Sequence, residues 1–396
     1  MRWKEVEPPS IGKRRQNSLS SNSHGKANTH ASVSVLICFS HLRWRFVYQR
    51  PQHIMSRFAA THHVVFFEEA VPTDAAEPWL EKRQEEGVQV LVPHLPDSYQ
   101  GEQAISAQRR LLDAFLEDIA ASDIIAWYYT PMSLPYSDHL TPRLTVYDCM
   151  DELSAFRGAP PSLVEQERRL IERADLIFTG GVSLFEAKRQ LHPNVHPFPS
   201  SVDIAHFGAA RTPQAEPEDQ AHLPHPRLGF FGVIDERLDI ELLLAAATQR
   251  PEWQFILVGP VVKIDPETLP KLPNIHYLGS KSYAELPQYL ASWDVALMPF
   301  ALNESTRFIS PTKTPEYLAG GRPVVSTPIT DVIRTYGDSG VVKIAQTPAE
   351  FVSAIEEALE DAQQQDRVWQ LADAALSDMS WDTTWKLMEE KMRCVV

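Results

Sequence analysis

Cysteine, glycine and cationic charge are all in short supply in this chain of 396 residues, and each shortage excludes a class of protein. Three cysteines, Cys38, Cys149 and Cys394, are too few and too scattered for a disulfide framework or a zinc knuckle. A reducing cytosol is the expected compartment, with Cys38 and Cys149 as small buried hydrophobes. Sixteen glycines against 31 prolines argue against a nucleotide site built from repeated glycine loops. No run reaches the roughly 18 apolar residues of a membrane span, so a cytoplasmic protein is expected, at most peripheral at the inner membrane face. Lys and Arg number 37 against 52 Asp and Glu, a net charge of −15. That balance argues against a broadly basic nucleic-acid surface, and no nucleic-acid partner is expected.

The charge is unevenly spread. Residues 1–30 carry six Lys/Arg against Glu5 and Glu7, a net +4, which leaves −19 on the rest. No apolar h-region follows Arg14 and Arg15, so no signal peptide is expected here. Residues 1–31 are expected to be a disordered basic leader, unable to bury enough surface to offset their ordering entropy.

Beyond the leader, short apolar β-branched runs alternate with amphipathic stretches. Ser32 to Phe39 reads as a buried parallel strand, a polar and aromatic loop follows, and Pro51 suits the first turn of a helix. The alternation continues to Asp203. Gly208 to Arg227, rich in Ala, Pro, Glu and Gln, reads as a linker. A second strand and helix series then runs from Leu228 to Leu376. The sequence therefore predicts an α/β protein of two Rossmann-like doubly wound lobes facing a cleft: 32–207, a linker at 208–226, and 227–376. A final helix in 377–396 is expected to pack back on the first lobe. Chemistry belongs at the carboxyl ends of the strands.

The stretch Ser310-Pro-Thr-Lys-Thr-Pro-Glu-Tyr-Leu-Ala-Gly-Gly-Arg-Pro-Val-Val325 is the most distinctive. Ser310 is an N-cap candidate, Pro311 a first-turn residue, and the helix start offers free N–H groups to an anion. Lys313 adds a point charge. Glu316, one turn on, is placed to accept bonds from a ribose diol. The alternative is a capped helix with a surface Lys–Glu pair. Gly320 and Gly321 are expected to end the helix in the left-handed conformation.

"SPTKTPEYLAGGRPVVST" resembles the donor-site helix of bacterial GT-B glycosyltransferases of the family 4, group 1 kind. "GFFGVIDERLDIELLLAA" (229–246), "WQFILVGP" (253–260), "NIHYLGSKSYAELPQYLASWDVALMPF" (274–300), "FVYQRPQHIMSRFA" (46–59) and "YDCMDELSAF" (147–156) are similar to the same group. The resemblance implies a sugar transferred from a nucleotide diphosphate sugar to a glycan, lipid-linked or small-molecule acceptor, with retention of configuration. It also implies a hexosyltransferase of polysaccharide biosynthesis that needs no cofactor or essential metal. By the same resemblance Glu316 binds ribose, Gly232 opens the donor loop, and Arg237 and Lys313, with the amides near Thr312, neutralise the diphosphate. The loop Gly279 to Tyr283 receives the base. Two positions depart from the family pattern. Phe308 stands where the first of two glutamates is expected, with Glu304 as a substitute from the preceding loop, and Val233 replaces a cationic residue.

On the first lobe His41 lies just after the first strand, placed to bind acceptor or act as base, with a solvated loop histidine as the alternative. Arg50 is placed to meet a phosphate or acceptor. Asp148 and Asp151 are candidates on the acceptor side, with helix capping as the competing role, and their spacing with Glu152 is no strong metal signature. Gly181 is expected to let backbone approach the cleft. Two further functions remain open: a sugar-nucleotide epimerase of the same architecture, and a nucleotide-sugar-binding protein without turnover.

Overall fold

The computed structural model describes residues 33–119 and 121–395, and the leader expected at 1–31 lies outside them. The first lobe contains β1 (Val33–Ser40), β2 (His63–Glu68), β3 (Val71–Thr73), β4 (Trp79–Glu85), β5 (Val88–Pro96), β6 (Ala121–Tyr128), β7 (Leu144–Cys149), β8 (Leu176–Thr179) and β9 (Val195–Pro197). Their order is β3-β5-β2-β1-β6-β7-β8-β9, with β4 antiparallel to β5 along Val88–His94 and the other pairs parallel. The short β3 and the charged β4 carry no apolar run, so neither is visible as a strand in the sequence.

Burial on both faces explains the continuous apolar character of β1. Leu36 and Cys38 join one core cluster, while Val35, Ile37 and Phe39 join the opposite one. Cys38 and Cys149 are buried free thiols. The helix Arg50–Phe58 covers the first face together with the last helix, Trp381–Arg393. His53 stacks on Trp381 at 4.7 Å, and Arg57 pairs with Asp382 at 2.7 Å.

The second lobe comprises β10 (Arg227–Phe231), β11 (Gln254–Val258), β12 (Ile275–Tyr277), β13 (Val295–Met298), β14 (Val324–Ser326) and β15 (Val342–Ile344). The order β12-β11-β10-β13-β14-β15 is wholly parallel and reverses between β10 and β13. Loops therefore diverge at the carboxyl ends of those two strands and leave a crevice.

Residues 208–226, expected as a loose linker, are packed onto this lobe. Ala210, Gln220 and Leu223 are buried. Gln220 accepts a bond from Trp293 Nε1 at 3.2 Å and donates to the Tyr289 carbonyl at 3.3 Å. Their low apolar density hides this, because a few apolar anchors, Ala210 and Leu223, are joined by polar contacts. Among the described residues, no helix is long and apolar enough to cross a membrane.

Candidate active site

The crevice of the second lobe faces the strand ends of the first, and one pocket draws its walls from both. Arg50, Met150, Asp151, Gly180 and Ser200 line it from one side; Phe230, Val233, Arg237, Phe300, Ser310, Thr312 and Lys313 line it from the other.

Lys313 opens the helix Lys313–Ala319. The helix begins later than Ser310, the N-cap expected from sequence. Thr312 holds the cap position in helical geometry with no side-chain cap, and Ser310 is engaged elsewhere. Ser200 Oγ donates to the Ser310 carbonyl at 2.5 Å, and the Ser200 amide donates to Ser310 Oγ at 3.3 Å, so Ser310 ties the lobes together. Of the two glycines at the other end only Gly321 is left-handed, at φ +74°; Gly320 is helical. Lys313 Nζ donates to Thr312 Oγ1 at 3.0 Å. Burial lowers its pKa, the Arg237 charge adds to this, and Glu316 opposes it. Gly232, at φ +147°, makes room for the lysine stem, since a Cβ there would sit 2.9 Å from Lys313 Cε. Glu316 is buried a turn behind, its carboxyl pushed up to about 7 by burial and held down by Lys313 and a Thr312 hydrogen bond.

Arg237 lies in the turn before the helix Ile240–Gln249, whose N-cap is Asp239. Its guanidinium pairs with Asp235 through Nε at 2.9 Å and Nη2 at 2.8 Å. That pair fixes the fork at the pocket wall beside Lys313.

Asp151 follows β7 and enters the same pocket. Burial raises its carboxyl to about 6 against the attraction of Arg237, Arg50 and Lys313. Asp148, three residues earlier, is different. It is fully buried and engaged by Arg50 through Nε at 3.1 Å and Nη2 at 2.8 Å. Arg50 also donates to the Phe198 carbonyl at 2.7 Å. Asp148 and Arg50, both expected on the acceptor side, form a buried ion pair that holds the Arg50–Phe58 helix against β7, and Arg50 also lines the interlobe pocket.

His41 follows β1, half-buried, and its Nδ1 is buried with no hydrogen-bond partner. Its pKa falls to about 4, first from burial and then from the Lys263 charge, so the ring is neutral near pH 7. Gly181, expected to let backbone approach the cleft, stands directly against the other lobe. A Cβ on it would lie 2.1 Å from Asp331 Oδ2, and that carboxylate accepts from the Ser183 amide at 3.0 Å. Ser183 lies inside the helix Val182–Lys188, whose start is capped by this carboxylate of the other lobe.

Gly279 sits at φ +69° and its carbonyl accepts from the Gly259 amide at 2.8 Å. At the end of that loop Tyr283 is sandwiched, stacked on Tyr48 at 4.5 Å and on His206 at 4.0 Å. Both ring faces are taken, so a base has only the Gly279 end of the loop. Phe308 packs against the core of the first lobe, under the Arg307 guanidinium at 5.0 Å. Glu304 does not replace the missing glutamate, for its side chain is 78% exposed and pairs with Arg307 at 3.7 Å.

Sequence reasoning missed Lys263, Phe156 and the Tyr48–Tyr283 stack. No sequence signal marks Lys263, because its left-handed backbone, φ +62°, is carried by a lysine instead of a glycine.

Comparison with known proteins adds the following. Residues 225–361 match the family of Glycosyl transferases group 1. TuaH of Bacillus subtilis (strain 168), named as a teichuronic acid biosynthesis glycosyltransferase, is 29% identical over 220 residues, 51% of this chain and 54% of the relative. The match thus spans about half the length of that relative. The sucrose-phosphate synthase of Thermosynechococcus elongatus superposes with a TM-score of 0.70 at 15% identity, covering 92% of this chain and 99% of that one. Anabaena Alr3699/HepE, solved in complex with UDP, gives 0.65 at 16% identity, covering 91% and 100%. These likenesses establish the shared architecture. Residues 225–361 are thus similar to the group 1 glycosyl transferases, and they are carried on a chain whose two lobes have the GT-B fold.

Proposed function

We propose that this protein transfers a glycosyl group, of the hexosyl type, from a nucleoside diphosphate sugar to a hydroxyl of a glycan, lipid-linked or small-molecule acceptor. The observation that carries the reading is the convergence of Lys313, Arg237 and Asp151 on one interlobe pocket, with buried Glu316 a turn behind Lys313. In the reaction the bond from the anomeric carbon to the diphosphate breaks, a bond to the acceptor oxygen forms, and the acceptor proton leaves. Lys313 and Arg237 stand where charge develops on the departing diphosphate. Glu316, ionised, accepts bonds from the ribose diol. Asp151 and His41 are the two groups at the cleft able to take the acceptor proton. The likeness to a fold solved with UDP makes that nucleotide the first to try.

Retention of configuration belongs to the proposal, as does turnover without an essential metal. Polysaccharide biosynthesis, with the chain in the cytoplasm or peripheral at a membrane, is the setting we propose.

Calorimetric titration with UDP and GDP tests the donor site. One of the two should bind, with Glu316→Ala weakening it at least tenfold and Glu304→Ala less than twofold. Equal effects mean that the ribose contact lies elsewhere, and no binding of either nucleotide defeats the reading. Nucleotide release that depends on added acceptor separates transfer from silent binding. A free epimer formed without acceptor favours the epimerase.

A further inference from the structure

The turn that carries Arg237 is gripped from the other lobe by two consecutive residues of the loop after β7. The Arg157 amide donates to Glu236 Oε1 at 2.9 Å, and the Phe156 ring centre lies 5.6 Å from the Arg237 guanidinium carbon. The same ring carries the Lys263 ammonium at 5.4 Å, so it joins the loops that follow β10 and β11.

Its own lobe fixes Arg237 in part. The Arg237 amide donates to Asp235 Oδ1 at 3.0 Å, its carbonyl accepts from the Ala301 amide at 2.8 Å, and Asp235 binds the Nε and Nη2 edge of the fork at 2.9 and 2.8 Å. A guanidinium held along one edge still tilts about that edge, and an aromatic ring set against it removes the freedom. Among the described residues Nη1 has no protein hydrogen-bond partner, and Arg237 lines the interlobe pocket, so this nitrogen is left for a phosphate oxygen. The edge is therefore set by the second lobe and the tilt by the first.

We propose that Phe156 is a positioning residue: its ring, supplied by the first lobe, holds Arg237 of the second in the orientation that meets the donor diphosphate. Naming the diphosphate rests on the transferase reading, while the hold of the ring on Arg237 does not. The backbone bond from Arg157 to Glu236 needs no aromatic side chain, so Phe156→Leu leaves that tether in place and removes only the π face.

UDP and uridine are titrated by NMR into the full chain and into its Phe156→Leu and Phe156→Tyr variants. The Nε–Hε signal of Arg237, identified by its loss in Arg237→Lys, is followed without ligand in each. Phe156→Leu should weaken UDP at least fivefold and uridine, which carries no diphosphate, less than twofold. It should also shift the Arg237 Hε resonance and lower its heteronuclear NOE. Phe156→Tyr should stay within twofold of the unaltered protein for both ligands. An unchanged UDP affinity in Phe156→Leu overturns the proposal, as does an equal loss for uridine, which marks a general loosening of the cleft. It is also overturned if Phe156→Tyr is as weak as Phe156→Leu, which marks packing alone. If UDP fails to bind the unaltered protein, the transferase reading falls, and the ligand-free signal still decides the hold of the ring on Arg237: left unmoved by Phe156→Leu, it overturns the positioning role by itself.

Discussion

Two groups at the cleft compete for the role of base, and their protonation separates them. Asp151 titrates near 6 because burial penalises its charged form, and His41 near 4 because burial and Lys263 penalise its charged form. If Asp151 takes the acceptor proton, turnover falls as pH drops through about 6, and Asp151→Asn removes that limb along with most of the activity. A base at His41 leaves the rate flat from pH 8 down to about 5. A pH–rate profile of both variants decides between them. Stability carries the same signature with a definite sign. The folded carboxyl keeps its proton up to about 6, whereas an unfolded aspartate loses it near 3.8, so this group's contribution declines as pH rises from about 4 to 6. Asp151→Asn is therefore expected to raise Tm at pH 7.5, with the gain gone at pH 4 in thermal scans. Lys313 and Glu316 were legible beforehand because a helix start and a one-turn spacing are local. The Arg50–Asp148 pair was not, since its partners are 98 residues apart and only burial reveals that they neutralise each other.

Among the elements, the loop after β7 shows how the cleft is held from behind. Lys188 Nζ sits 2.8 Å from Glu152 and 2.8 Å from Glu167, and Tyr147 donates to the same Glu167 oxygen at 2.8 Å. Glu152 is next to Asp151, so this cluster anchors the backbone that presents the cleft carboxylate. Lys188→Met leaves two shielded carboxylates without their cation, a change expected to cost about 3–5 kcal/mol in urea unfolding. Lys188→Arg should recover a measurable part of that loss. The other end of the same helix depends on the second lobe. Asp331→Ala removes the acceptor of the Ser183 amide, and exchange at that amide is expected to speed up at least tenfold in hydrogen-exchange mass spectrometry or NMR. No local signal marks this cap, because the capping carboxylate comes from a residue 148 positions away.

Across the whole molecule, the chain closes on itself through its last helix. Trp381 is buried in the first lobe, its ring stacked on His53, with Met388 and Met392 in the same core. Trp381→Ala is expected to cost about 3–5 kcal/mol, read as an earlier urea midpoint, with the loss concentrated in the first lobe. The number of lobes, the parallel sheets and the position of the cleft were determined by the sequence alone. Each follows from a local period, β-branched runs buried on both faces alternating with amphipathic helices, and such periods survive without knowledge of neighbours. Charge placement on the cleft walls was decided only by the tertiary structure. Lys263 meets Phe156, Tyr283 fills the space between Tyr48 and His206, and Asp331 caps a helix of the other lobe because two lobes approach each other. Pairing and desolvation depend on distance in space, and distance across a cleft is written in no single stretch of the chain.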